Sequence, residues 1–305
     1  MNLLKTKPFQ RNLEWLRFYF KLPIMKKSTL FLLLLVCSVV VSAQIKQPQD
    51  TTKYEYRIEK SIPYRDSNVE KLDEYAIKNC QLDFYYPVNK KAFATVIWIH
   101  GGSLKGGKKE IPERLKNQGF AVVGIEYRLS PNVLCIQIIE DAAAAVAWTF
   151  RNVAKYGGDS TKIFLSGHSA GGYLDLIVGM DKKWLAKYNI DANRIAGLLP
   201  LSPQTITHFT IRKERGIPDT QPIVDEFAPL FYVRKDLPPL VLITGDRELE
   251  MLGRYEENAY LARMMKLNGH TKTTLYELQG FGHGPMMQPG LYLLVDQLHK
   301  LIDKQ

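Results

Sequence analysis

Between residues 94 and 301, short apolar runs of strand length alternate with segments of helical spacing. Ala94–Ile99, Phe120–Tyr127, Lys162–Ser166, Ile195–Leu201, Leu240–Thr244 and Thr273–Leu278 are the strand-length runs. Most are nearly continuous and rich in β-branched side chains, as strands buried on both faces must be. Glu140–Val153, Tyr173–Met180, Tyr255–Leu267 and Leu291–Leu301 carry the helical spacing. Strands alternating with helices predict an α/β fold, a mostly parallel central sheet with helices on both faces. Gln81–Tyr86 alternates and stops at Pro87, and the polar, aromatic stretch Thr51–Asp66 fits an edge strand or hairpin. Pro203–Pro222 is the longest irregular stretch and reads either as a small cap over a site or as a surface excursion. No large lid domain, repeat or linker interrupts the pattern.

The composition is that of a globular protein, with 46% hydrophobic and 24% charged residues in 305. Disordered, collagen-like and polytopic membrane classes are excluded. The formal net charge of +10 raises the question of a nucleic-acid or membrane partner, so its placement matters. From Met25 the chain reads MKKSTLFLLLLVCSVVVSAQ: a basic start at Lys26 and Lys27, an apolar run from Leu30 to Val41, and small residues up to Ala43. That is the layout of a secretory signal peptide, with cleavage expected after Ala43. The run is shorter than the ~20 apolar residues of a comfortable membrane span. Residues 1–24 precede this unit; either translation begins at Met25, or a long basic start leaves the signal uncleaved as an anchor. Residues 1–43 hold seven basic residues and one acid, which leaves 34 basic and 30 acidic residues in 44–305, the expected single catalytic domain. Most of the excess charge therefore belongs to the leader, and no nucleic-acid partner is expected. Export permits a disulfide between Cys80 and Cys135, but two free thiols fit the sequence equally well.

Chemistry concentrates in four places. Gly167-His168-Ser169-Ala170-Gly171-Gly172 fits G-x-S-x-G directly after a strand and before a helix. That context belongs to a sharp strand-to-helix turn which exposes a serine nucleophile, with small residues needed two before and two after Ser169. The Ala170 N–H would then point at a developing oxyanion. His100-Gly101-Gly102-Ser103 follows a strand, and its glycines allow backbone N–H groups of Gly102 and Ser103 to approach a substrate, provided Ser103 takes the required backbone angles. His100 is expected to brace this loop rather than transfer protons. Leu242-Ile243-Thr244-Gly245-Asp246-Arg247 ends a strand with a carboxylate at its tip. Asp246 is the expected orienter of a histidine, preferred over Glu248 and Glu250, which lie beyond the tip. Gly280-Phe281-Gly282-His283-Gly284-Pro285 supplies the histidine late in the chain. Ser169, Asp246, His283 is the chain order of a hydrolase triad. His208, His270 and His299 have no such context and are expected to be solvated. No cluster has metal-ligand spacing, and no cofactor is expected.

HGGS at 100–103, EYRLSP at 126–131, EDAAAAVAW at 140–148, YGGDSTKIFLSGHSAGG at 156–172, GDRE at 245–248 and GFGH at 280–283 together resemble the α/β-hydrolase superfamily. The likeness is to serine esterases and lipases, of the hormone-sensitive-lipase-like and carbohydrate-acyl-esterase kinds. The resemblance implies the α/β-hydrolase fold and an acyl-enzyme mechanism. It also implies structural roles for Arg128 and Asp141 in joining strand to helix. His168, where many such elbows carry Asp, leans toward esterases acting on carbohydrate-linked acyl groups and toward kynurenine-formamidase-like enzymes. The expectation is therefore an exported carboxylesterase acting on small-molecule or carbohydrate esters, without a stable membrane anchor after signal cleavage. Amidase, arylformamidase or peptidase activity on the same scaffold is the alternative, and a non-catalytic binding protein on a hydrolase fold is a third reading.

Overall fold

The computed structural model describes residues 54–66, 71–251 and 253–304. The expected leader (1–43, with its signal peptide at 25–43) and the expected domain start at residue 44 lie outside the described residues.

Eight strands form one sheet: β1 (Tyr56–Pro63), β2 (Gln81–Pro87), β3 (Phe93–Ile99), β4 (Ala121–Ile125), β5 (Gly158–His168), β6 (Gly197–Leu201), β7 (Leu240–Gly245) and β8 (Thr273–Leu278). Their spatial order is β1-β2-β4-β3-β5-β6-β7-β8. β1 and β2 run antiparallel at one edge, and β4, β3, β5, β6, β7 and β8 run parallel. The helices are α1 (Glu74–Asn79), α2 (Cys135–Asn152), α3 (Ala170–Met180), α4 (Phe209–Glu214), α5 (Arg254–Leu267) and α6 (Met287–Ile302), with a further single turn at Lys183–Ala186.

The period-two geometry of a strand splits the apolar residues into two cores. Ile97 and Ile99 of β3, Val123 and Ile125 of β4, Leu165 of β5 and Leu242 of β7 face one core, under α2, α3 and α5. Val96 and Trp98, Val122, Phe164, Leu199 and Leu201, and Val241 and Ile243 face the other, under α6. Every residue of β3, β4, β6 and β7 is buried, which explains why their sequences show continuous rather than alternating apolarity. Ala142 to Ala145 and Ala147 are buried along α2. Small side chains on that helix allow its backbone to lie close on the sheet.

Arg128, just past β4, makes a two-pronged hydrogen bond to Asp141 of α2, at 2.8 Å from Nε to Oδ2 and 2.7 Å from Nη2 to Oδ1. Arg65 also donates to Asp141 Oδ1 at 3.0 Å. This is the strand-to-helix tie that the resemblance implied. Cys80 and Cys135 are buried free thiols. The stretch 203–222 is not irregular throughout: it carries α4, whose Thr210 hydroxyl donates to the Ser103 carbonyl at 2.6 Å. Glu214 of α4 accepts from the Cys135 N–H at 3.0 Å and so caps α2 from a distance, since Leu134 at the cap position has no side-chain acceptor.

Candidate active site

All four sequence motifs meet at the C-terminal ends of the parallel strands, where open α/β sheets place their ligands. Ser169 stands between β5 and α3 at φ 56° and ψ −114°, a backbone conformation costly for a residue with a side chain. The strain is fixed by crowding. A Cβ at Gly171 would lie 2.0 Å from the Ile99 carbonyl oxygen, and one at Gly167 would lie 2.6 Å from both that oxygen and the Gly171 carbonyl carbon. Only glycine fits at either place, so the turn closes tightly and holds Ser169 out of the helix. The Ser169 N–H donates to the Leu201 carbonyl at 2.9 Å, tying the turn to β6.

His283 reaches Ser169 from the loop after β8. Its Nε2 is 2.8 Å from Ser169 Oγ. Its Nδ1 is 2.8 Å from Glu250 Oε2. Asp246, expected in that role, is elsewhere: its Oδ1 accepts the Glu248 N–H at 2.9 Å and its Oδ2 accepts the Gly280 N–H at 2.7 Å. The expectation is corrected for a definite reason. The Asp246 carbonyl accepts the N–H groups of Leu249 and Glu250, at 3.0 and 2.8 Å, so the chain turns back on itself after the strand tip. That turn delivers Glu250 to the imidazole, while the Asp246 side chain holds the turn and the histidine loop together. Gly245 is the signal for this arrangement: a Cβ there would lie 2.4 Å from the Phe281 carbonyl and 3.0 Å from Glu250 Oε1.

Glu250 is surrounded by donors. Oε1 accepts from the Ser202 hydroxyl at 2.6 Å and the Gly245 N–H at 3.0 Å, and Oε2 accepts from the Met251 N–H at 3.0 Å as well as from His283. Burial alone would raise its pKa; the hydrogen bonds from His283, Ser202 and Gly245 bring it down to about 2. An ionised carboxylate can only accept, so Nδ1 of His283 carries the proton. Nε2 is then the acceptor for the Ser169 hydroxyl.

Three backbone N–H groups belong to the turn at Ser169 and to the loop packed against it. Ala170 is the first residue of α3. Gly102 has φ 114° and Ser103 φ 60°, so Ser103 does take the left-handed angles the loop needs. A Cβ on Gly102 would lie 2.2 Å from the Gly106 carbonyl oxygen, and one on Gly101 would lie 3.6 Å from the Ser169 Cβ. The loop is therefore packed directly against the serine. No described residue accepts a hydrogen bond from the Gly102, Ser103 or Ala170 N–H. His100 braces the loop as expected, with Nδ1 at 2.7 Å from the Gly101 carbonyl, Nε2 at 3.0 Å from Glu126 and its ring stacked on Tyr127.

Two histidines differ from the sequence expectation. His208 and His270 are buried rather than solvated. His208 Nδ1 accepts the Thr210 N–H and caps α4, and His270 spans Thr273 and the Leu237 carbonyl. His299 is half-buried against Phe120. Two supporting residues escaped the sequence reading. Ser202 contacts both Glu250 and His283, as described further below. His168 Nε2–H donates to the His283 carbonyl at 3.0 Å and fixes the loop that carries the base. Burial and the neighbouring His283 push its pKa down to about 4, so it stays neutral in ordinary buffers.

Comparison with known proteins agrees with this fold. The family model described as BD-FAE matches residues 82–195. The Mycobacterium tuberculosis protein called Esterase LipC is 26% identical over 205 residues, covering 61% of this chain and 50% of that protein. Among solved structures, a truncated carbohydrate esterase from gut microbiota superposes with a TM-score of 0.65 at 19% identity, over 82% of this chain and 98% of that one. Thermogutta terrifontis esterase 2, solved phosphoramylated by tabun, superposes with a TM-score of 0.62 at 20% identity, over 84% of this chain and 98% of that one.

The chain has the α/β-hydrolase fold. The chain spans half or less of the length of the curated relatives it matches. What it shares with the solved structures at this identity is the fold, and β3, β4 and β5, with the 100–103 loop and the turn at Ser169, lie inside the matched family model.

Proposed function

We propose that this α/β-hydrolase is a serine carboxylesterase that cleaves small or carbohydrate-linked acyl esters through an acyl-enzyme on Ser169. The observation that carries the reading is the unbroken chain Ser169 Oγ, His283 Nε2, His283 Nδ1, Glu250, with each step at 2.8 Å, built on an elbow that tolerates only glycine at two places. Ser169 attacks the ester carbonyl as His283 takes its proton. Glu250 holds the tautomer and stabilises the imidazolium that forms. The negative oxygen is met by the N–H groups of Ala170, Gly102 and Ser103, each such donor lowering the barrier by about 3 kcal/mol. His283 returns the proton to the leaving alcohol, and water repeats the cycle on the acyl-enzyme.

The lean toward carbohydrate-linked esters rests on the elbow residue His168 and on the gut carbohydrate esterase among the structural neighbours. Export rests on the layout of residues 25–43. N-terminal sequencing of the protein recovered outside the cytoplasm should begin at Gln44; a chain that retains Met25 would refute cleavage. The activity test is hydrolysis of p-nitrophenyl acetate together with labelling by a fluorophosphonate. Ser169→Ala is expected to abolish both while the melting temperature is retained. Wild-type turnover in that variant would refute the proposal. A panel with acetylated xylan, methyl ferulate, an aryl formamide and a dipeptide anilide then separates polysaccharide esterase from amidase and peptidase activity.

A further inference from the structure

Ser202 occupies a costly position. It follows β6 at φ 45°, in the left-handed region that disfavours any residue with a Cβ, and it is fully buried. Glycine would relieve the strain, so what the chain keeps there is the hydroxyl. Observed backbone strain at a buried polar residue points to function when its side chain reaches a reactive group. Here it reaches two. Oγ lies 2.6 Å from Glu250 Oε1 and 2.9 Å from His283 Nδ1.

We propose that Ser202 is a positioning residue for the His283–Glu250 pair; the proposal rests on the esterase reading above. The hydroxyl proton goes to Glu250, and the oxygen takes a second share of the Nδ1–H, giving a three-centre bond. That geometry fixes the ring plane of His283 and the carboxylate plane of Glu250 relative to each other. The post itself is rigid. The Ser202 N–H donates to the Ile243 carbonyl at 2.6 Å, and its carbonyl is gripped by the buried guanidinium of Arg254. Asn258, one turn further along α5, holds the next carbonyl, that of Pro203, at 2.9 Å. α5 thus pins the end of β6 so that one hydroxyl stands between acid and base. Ser202 does not touch Ser169 and makes no contact with the N–H groups of Gly102, Ser103 and Ala170, so its effect belongs to proton transfer and not to substrate binding.

The test uses Ser202→Ala and Ser202→Gly, with turnover on p-nitrophenyl acetate, the rate of fluorophosphonate labelling, and thermal melting. Glycine suits the φ angle, so the second variant removes the hydroxyl without adding strain. Losing a hydrogen bond to a charged group corresponds to about 10- to 100-fold. The expected result is a fall of that size in kcat and in labelling rate for both variants, with KM unchanged and the glycine variant melting no lower than the alanine one. A glycine variant with wild-type kcat, or one altered only in KM, overturns the proposal. Ser169→Ala run alongside keeps the two readings apart: if it is inactive while Ser202→Gly is unimpaired, only the positioning role falls, whereas an active Ser169→Ala removes the esterase reading and this role with it.

Discussion

Exchanging Glu250 for glutamine is the sharpest perturbation of the site, because four donors and no acceptor surround that carboxylate. An amide must present its NH2 to two of them. If the NH2 replaces Oε2, it faces His283 Nδ1, and the ring must move its proton to Nε2. Nε2 then cannot receive the proton of Ser169. If the NH2 replaces Oε1, the Ser202 hydroxyl and the Gly245 N–H lose their acceptor and the imidazolium loses its negative partner. A wrong tautomer of this kind costs about 10⁴ in kcat in the serine-protease template, or roughly 5 kcal/mol of barrier. Glu250→Gln is therefore expected to lower kcat on p-nitrophenyl acetate by about 10³- to 10⁴-fold. Asp246→Asn is the matched control. Its amide oxygen can keep one of the two backbone N–H bonds now made to Glu248 and Gly280, so the loss is one charge-assisted bond in a loop, about 1–3 kcal/mol of stability. Its turnover is expected to stay within about tenfold of wild type, since that carboxylate does not reach the imidazole. Initial-rate assays on both purified variants, with melting curves to confirm folding, decide the matter. The reverse order of effects, a nearly active Glu250→Gln beside an inactive Asp246→Asn, would refute the assignment of the acid.

Other consequences follow from the same geometry. Gly171→Ala places a Cβ 2.0 Å from the Ile99 carbonyl and is expected to destabilise the fold by about 3 kcal/mol or more, read as a lowered denaturation midpoint; an unchanged midpoint would show that the elbow can relax. Acid should unfold the protein in two steps. His168 has a folded pKa of about 4, below its unfolded value of 6.5, so its contribution is present above pH 6.5 and lost as pH falls toward 4, worth about 3 kcal/mol. Glu250, at about 2 against 4.5, loses its contribution between pH 4.5 and 2. His168→Gln should remove the first step in urea midpoints measured from pH 7 to 4, and persistence of that step in the variant would place its origin elsewhere. Asp175 lies fully buried on α3, and burial raises its carboxyl well above the usual range. A raised folded pKa means stability present at low pH and lost as pH rises. Asp175→Asn should therefore melt higher at pH 8, by a few degrees for about 1 kcal/mol, and an unchanged melting point would refute the penalty.

The legible parts of this protein were those in which neighbouring residues interact with one another. Buried strands read as continuous apolar runs because both faces of the sheet are covered, and β3, β4, β6 and β7 lie where those runs stand. The elbow read correctly because Gly167, Ser169 and Gly171 stand in one short motif between a strand and a helix, although the crowding that demands glycine there comes largely from the Ile99 carbonyl of β3. The edge of the reading appeared at Asp246. Ranking carboxylates by closeness to the strand tip ignores a turn that carries the chain back, and that turn exists because the Asp246 carbonyl accepts the Glu250 N–H. His208 and His270 were misread for a related reason. Nothing near them in sequence marks them as buried; their burial comes from elements packed over them, and their ring nitrogens are used to cap a helix and to cross-link a strand to a loop.

By itself, then, the sequence marked most of the parallel sheet, the turn at Ser169 and Ala170, the loop at Gly102 and Ser103, and His283, because each stands in a short motif of its own. Tertiary structure alone decided which acid serves the histidine and what holds the pair in place. Glu250, Ser202 and His168 come together around His283 across 33 to 115 positions of chain. A carboxylate chooses its partner by direction and distance of hydrogen-bond donors, and those are fixed only once β5, β6, β7 and the loop after β8 stand side by side.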